Sequence, residues 1–215
     1  AVAGGVRPVV VPAASVAVAR LVAGVTVHAA ATLGALVEGY AVSARRGGTL
    51  PVASALPGIC TPDRQVGDLA DVVGQKEARE VVELAAIGGH HLLLTGPPGV
   101  GKTMLAERLV GVLPEITRDE ALESQAIRSL AGVGQARGLD LTPPFEAPHH
   151  TASTAAIVGG GSAAVIPGAV SRAHRGVLFL DEAPEFKSSV LQCLRQPRHL
   201  CLRQCGGAGD PPVFA

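Results

Sequence analysis

Apolar positions fall into short runs separated by glycine, proline and charged residues, and their spacing predicts most of the elements. Residues 6–11 (VRPVVV) read as a short buried strand, 14–22 as an Ala/Val-rich helix, 25–28 (VTVH) as a second strand and 32–40 as a second helix. That β-α-β-α order is the grammar of an α/β layer. It opens on a strand and offers too few elements for a core, so residues 1–43 read as the end of a domain whose beginning lies outside the sequence. Residues 44–62 combine prolines and small residues without periodicity and read as a linker.

A second unit spans residues 63–197. Its first helix is expected over 75–88, with Ala78, Val81, Val82, Ala85 and Ala86 on one side and Lys76, Glu77, Arg79, Glu80 and Glu83 on the other. Gly88 and Gly89 stop it, and His91 to Thr95 (HLLLT) form an apolar run of the kind buried on both faces of a parallel sheet. A glycine-rich turn and a helix over 102–112 follow, closed by Pro114. Another helix is expected over 118–130, with Asp119 and Glu120 in the first turn, where the dipole favours them. Residues 132–170 read as a long loop, of the kind that is functional or disordered, 177–181 (VLFLD) as a second buried strand and 186–196 as a helix.

Composition narrows the functions open to such a chain. Lysine plus arginine (18) equals aspartate plus glutamate (18), so no net field draws it toward nucleic acid or an anionic membrane. Hydrophobic residues make up 47% and aromatics only 2%, which implies an Ala/Val/Leu core and excludes base-stacking platforms. Pro12, Arg20, Gly24, His28 and Gly34 break the apolar start into pieces shorter than the roughly 20 residues a spanning helix requires, so no membrane span is expected. Four cysteines without a CxxC pair or a signal peptide point to a reducing, cytoplasmic setting. The sole methionine, Met104, is internal, and the sequence is therefore not expected to be a complete reading frame.

The strongest chemical signal is Gly96-Pro97-Pro98-Gly99-Val100-Gly101-Lys102-Thr103, a G-x-x-x-x-G-K-[ST] run between an apolar strand and a helix. Gly96, Gly99 and Gly101 let backbone N–H groups turn inward around a phosphate with no Cβ in the way. The helix beginning near Lys102 adds the partial positive charge of its N-terminus. In this reading Lys102 reaches the β- and γ-phosphates of ATP, and the Thr103 hydroxyl ligates Mg2+.

Val177 to Leu180 run into Asp181 and Glu182. Unpaired carboxylates at a strand tip are costly to desolvate, which suggests a use: Asp181 holding a water on Mg2+, Glu182 polarising the attacking water. His149, His150 and His174 lack the spacing of a zinc site, as do Cys193, His199, Cys201 and Cys205. His149 and His150 read as loop residues without a catalytic role, and His90 and His91 as structural residues before the strand.

Three segments, GQKEAREVVELAAIGGHHLLLTGPPGVGKTMLAERL, FEAPHHTASTAAIVGGGS and PGAVSRAHRGVLFLDEAPEF, resemble the magnesium-chelatase-like AAA+ module of ComM/YifB proteins. The resemblance covers residues 63–197, and residues 1–43 are similar to the end of the Lon-protease-like domain that precedes that module. It implies a P-loop NTPase fold, a three-layer α/β/α sandwich on a parallel sheet. It also implies a nucleotide-binding set of Val72, Val73, Gly74 and Gln75, against the adenine, and Gly96, Pro97, Pro98, Gly99, Val100, Gly101, Lys102, Thr103 and Met104. Lys102 and Glu182 would be catalytic, with Thr103 and Asp181 on the metal side. The family implies a homo-oligomeric hexameric ring, and for ComM a DNA helicase role in transformation. Two alternatives stand beside this one, a magnesium chelatase ATPase subunit and a non-catalytic decayed fragment. The Lon-like remnant argues against the chelatase.

Two departures from the family pattern matter. Glu146 stands where the family usually has a basic residue, which would weaken phosphate attraction at a loop facing nucleic acid. Residues 198–215 (RHLCLRQCGGAGDPPVFA) do not fit the family, as a frameshifted tail would not, and no sensor or arginine finger is matched. In the family's strand order, 5-1-4-3-2, the 92–95 strand would then lack both neighbours, and weak or absent hydrolysis is expected.

Overall fold

A computed structural model describes residues 8–12, 15–20, 22, 24–46, 66–133, 138–161, 165–194 and 200–205. The chain divides into two compact units, Ala1–Thr61 with Gln135–Asp140, and Pro62–Gly134 with Leu141–Ala215. Among the described residues, no helix is long and apolar enough to cross a membrane.

The first unit contains β1 (Pro8–Pro12), α1 (Val16–Ala19), β2 (Thr26–Ala30) and α2 (Leu33–Arg46). The strands pair in parallel from Pro8↔Thr26 to Pro12↔Ala30. Parallel neighbours need a crossover, and the segment carrying α1 provides it. At the head of α2 the Thr32 hydroxyl accepts from the Ala35 N–H at 3.1 Å. The helix runs to Arg46, past the expected end at residue 40 and the boundary at 43. Beyond Arg46 the expected linker lies outside the described residues.

The second unit opens on a 3-10 turn at Leu69–Asp71, then α3 (Lys76–Gly88), β3 (Leu92–Thr95), α4 (Lys102–Val112) and α5 (Arg118–Leu130). Next come β4 (Phe145–Glu146), α6 (Thr154–Val158), β5 (Gly159–Gly160), β6 (Ile166–Pro167), α7 (Ala169–Arg172), β7 (Val177–Leu180), α8 (Ser188–Cys193) and β8 (Leu200–Cys205). Local chemistry sets several boundaries. Gly89 ends α3 in the left-handed region (φ 62°), where a missing Cβ is an advantage. At the head of α5, Thr117 and Glu120 form a reciprocal capping box. The Thr117 backbone and hydroxyl bonds to Glu120, helped by the nearby Arg175 guanidinium, hold that carboxyl below its ordinary pKa.

Four strands form a parallel sheet in the order β3-β8-β7-β4. β7 is buried along its whole length and divides its side chains between two cores. Val177 and Phe179 join α3 and α4 residues such as Val82, Leu105 and Leu109, while Leu178 and Leu180 join Ile157, Ala169 and Val190 of α6, α7 and α8. Helices therefore pack on both faces of the sheet at β7, in the expected three-layer arrangement. Burying each such Val, Leu or Phe contributes about 1.5–3 kcal/mol.

Four expectations change. β3 is buried on one face only: Leu92 joins the core, but Leu93 on the opposite face is 38% exposed, because no helix described here covers that side. α8 ends at Cys193 rather than residue 196. The segment 132–170, expected as a loop, contains β4, α6 and the short hairpin of β5 with β6, each element too short to leave a period in the sequence.

The fourth change concerns the tail. Residues 200–205 form β8 and pair with both β3 (Leu92↔Leu202 to Thr95↔Cys205) and β7 (Val177↔Leu200 to Leu180↔Arg203). β3 therefore has a neighbour on one side, contrary to the expectation that it has none. Backbone donors and acceptors of two parallel strands one place apart can be met by any extended segment between them, whatever family its side chains match. Residues 206–215 lie outside the described residues.

Candidate functional site

The turn between β3 and α4 is shaped by its glycines. Gly99 (φ 82°) and Gly101 (φ 83°) lie in the left-handed region and Gly96 has φ 149°, conformations that side chains disfavour. Lys102, the first residue of α4, is 7% exposed. Its Nζ donates to the Gly96 and Pro97 carbonyl oxygens, each at 2.8 Å, so the ammonium lies inside the curl of the loop. A buried cation keeps its charge only when such partners replace water.

Register places the acidic pair beside this loop. Arg203 of β8 stands opposite both Leu93 and Leu180, so those two residues are level across the sheet. Asp181 then follows at the level of Leu94, and Glu182 comes next in the turn past the end of β7, the strand two places from β3. Two strand spacings separate them, about 10 Å. Parallel strands end on one edge, and ligands of open α/β sheets bind in the crevice beyond that edge.

Glu182 adopts the left-handed conformation (φ 54°, ψ 52°), unusual for a non-glycine residue, and its carbonyl accepts from the Glu185 N–H at 2.8 Å. Its Oε2 lies 3.4 Å from His150 Nδ1. The His150 ring stacks on His149 (centroids 4.1 Å) and meets Phe186 edge-on (6.4 Å). The sequence reading gave these histidines no place beside Glu182. No signal could have supplied it, because 31 positions separate His150 from Glu182 and only the adjacency of β4 and β7 brings them together.

The segment expected against an adenine divides. Val72 is 1% exposed and its side chain belongs to the core, whereas Val73 is 94% exposed. Gly74 and Gln75 both have positive φ (75° and 48°). The Gln75 side chain reaches the phosphate loop, its Nε2 donating to the Val100 carbonyl at 2.6 Å.

Glu146 does not behave as an exposed loop acid. It sits on β4, and Arg172 Nε and Nη2 both donate to its Oε2 at 3.1 and 2.9 Å, while Nη1 donates to the Pro167 carbonyl at 3.2 Å. Its charge is matched within the fold, so its expected effect on a nucleic-acid-facing loop does not follow. His174 pairs with Glu123 of α5 at 3.2 Å.

The residues present fit a magnesium nucleotide. Three glycines at positive φ shape a loop that encloses the Lys102 ammonium, and the hydroxyl and carboxylate of Thr103 and Asp181 are hard oxygen donors suited to Mg2+, which takes one or two protein ligands alongside phosphate oxygens.

The sequence profile described as "Magnesium chelatase, subunit ChlI" matches residues 68–200, more than half of the chain. An uncharacterized protein of Mycobacterium tuberculosis, Rv2897c, is 53% identical over 190 residues, covering 88% of this chain and 37% of its own. The uncharacterized protein YifB of Escherichia coli is 53% identical and competence protein ComM of Haemophilus influenzae 52% identical, each over 130 residues and 60% of this chain. The chain spans only 26% and 25% of those two relatives. A solved complex of the BchI and BchD subunits of magnesium chelatase shares the fold, with a TM-score of 0.52 at 22% identity over 68% of this chain and 57% of that one.

Proposed function

Because the chain belongs to the magnesium chelatase subunit ChlI family, we propose that it is the ATP-binding AAA+ module of a ComM/YifB-type protein. The observation that carries this reading is the buried Lys102 ammonium inside the glycine-rich loop that follows β3, at the same edge of the sheet where Asp181 and Glu182 follow β7.

In this reading the backbone N–H groups of Gly99 to Thr103 wrap the β- and γ-phosphates, and Lys102 exchanges the Gly96 and Pro97 carbonyls for phosphate oxygens. The Thr103 hydroxyl and a water held by Asp181 are the protein's ligands to Mg2+. The bound magnesium nucleotide supplies the phosphoanhydride and the charge that neutralises it. Glu182 orients the attacking water and accepts its proton, and His150 fixes one of its oxygens. Val73 and Gly74 flank the base.

Hydrolysis by this stretch alone is weak on this reading. The sequence contains no asparagine to serve as a sensor, and no arginine finger is matched. Assembly into a hexameric ring, action on DNA and a cytoplasmic location extend the same reading from the resemblance to ComM.

A titration with a fluorescent ATP analogue and Mg2+ tests it. Lys102→Ala should weaken binding at least about tenfold, since hydrogen bonds to charged groups contribute about 1.5–3 kcal/mol each. Glu182→Gln should leave binding intact. A wild-type chain that binds no nucleotide ends the reading.

A further inference from the structure

The side chain of Gln75 has a use that a contact with the base does not explain. Gln75 heads α3 in the left-handed conformation (φ 48°, ψ 43°) and makes no capping bond with its own helix. Instead its Nε2 crosses 25 positions of sequence to the Val100 carbonyl, at 2.6 Å. The same nitrogen lies 3.4 Å from where a Cβ on Gly101 would stand, so a side chain at 101 would press against the Gln75 amide.

The peptide that joins Val100 to Gly101 is trans, as no cis bond occurs among the described residues. In a planar trans peptide the C=O and N–H vectors point in opposite directions. A Val100 oxygen held outward by Gln75 therefore turns the Gly101 N–H to the opposite side, away from Gln75. Gly101, at positive φ, leaves its own side of this peptide plane without side-chain restraint. Were it to rotate by half a turn, a carbonyl oxygen would replace an amide in a cradle built for anions, and the loop would repel what it is shaped to hold.

We propose that Gln75 is a positioning residue: by holding the Val100 carbonyl it fixes the 100–101 peptide with the Gly101 N–H available to the phosphates, and so sets affinity for the triphosphate rather than for the base. The inference rests on the reading of 96–103 as a phosphate site and deepens it, because the segment before α3 then serves the phosphate loop as well as the adenine. A ligand that has phosphates and no base is the natural probe.

The experiment compares wild type, Gln75→Met, Gln75→Glu and Lys102→Ala by calorimetry, with magnesium tripolyphosphate and with Mg·ATP. Met keeps the length of the side chain without a donor, and Glu places an acceptor against the carbonyl. Gln75→Met should weaken both ligands to the same degree, about fivefold, as expected for one lost neutral hydrogen bond, with an unchanged melting midpoint. Gln75→Glu should weaken both at least as much. In amide NMR spectra, tripolyphosphate should shift the Gly101 signal in wild type and shift it less in Gln75→Met. Loss of ATP affinity with tripolyphosphate affinity intact assigns Gln75 to the base and overturns the proposal, as does unchanged affinity for both. If wild type binds neither ligand, or Lys102→Ala binds both as well as wild type does, the phosphate-site reading itself fails.

Discussion

A single contact decides how Glu182 is presented. Its backbone is left-handed, which costs of order 1 kcal/mol for a residue with a Cβ, and the carboxylate lies against His150. Glu182→Gln should therefore shift the ring-nitrogen signals of His150, and through the 4.1 Å stack those of His149, while His90 stays unmoved; nitrogen-15 spectra of labelled histidine would show it. An unmoved His150 would mean that the contact is not formed in solution. At this scale the local settings were legible in the sequence: Lys102 and Thr103 open α4, and Asp181 and Glu182 follow β7. The partners were not. Nothing local in the sequence ties Gln75 to Val100, His150 to Glu182 or Arg172 to Glu146, since each pair is joined only by chain that returns from elsewhere.

Elements follow local rules where they are long and misread where they are short. α4 and α5 begin and end where periodicity and capping predict, and α5 carries a testable cap. Thr117→Ala should destabilise the second unit by about 1 kcal/mol, measured by urea unfolding. The pH dependence has a definite sign. The Glu120 carboxyl is held below its ordinary pKa, so its contribution is present above the unfolded-state value and is lost as pH falls through the lower folded-state value. Glu120→Gln should accordingly flatten the acid limb of the stability profile and leave the neutral region nearly level. β4, β5 and β6 have two residues each, too few for any alternation to register, which is why 132–170 reads as a loop.

Close approach of backbones makes Gly176 intolerant of any side chain. A Cβ at Gly176 would overlap the Pro144 carbonyl oxygen, which also accepts from the Val177 N–H at 2.7 Å where β4 meets β7. Gly176→Ala should cost more than about 3 kcal/mol and release β4, seen as lost hydrogen-exchange protection at Val177. β8 bonds to β3 and β7 at once, so Leu202→Pro, which removes a ladder donor, should lower protection in both Leu92–Thr95 and Val177–Leu180. Protection that persists in both strands would show that β8 is not their common neighbour.

The sequence by itself determined the class of fold and the residue types at the candidate site, because a glycine-rich turn and a long amphipathic helix are local arrangements whose spacing is fixed by bond geometry. Tertiary structure alone decided that residues 200–205 stand between the two apolar strands, that β3 is covered on one face and that Glu146 is neutralised. Pairing between strands depends on which backbone edges meet, and side-chain order along the chain carries little record of that.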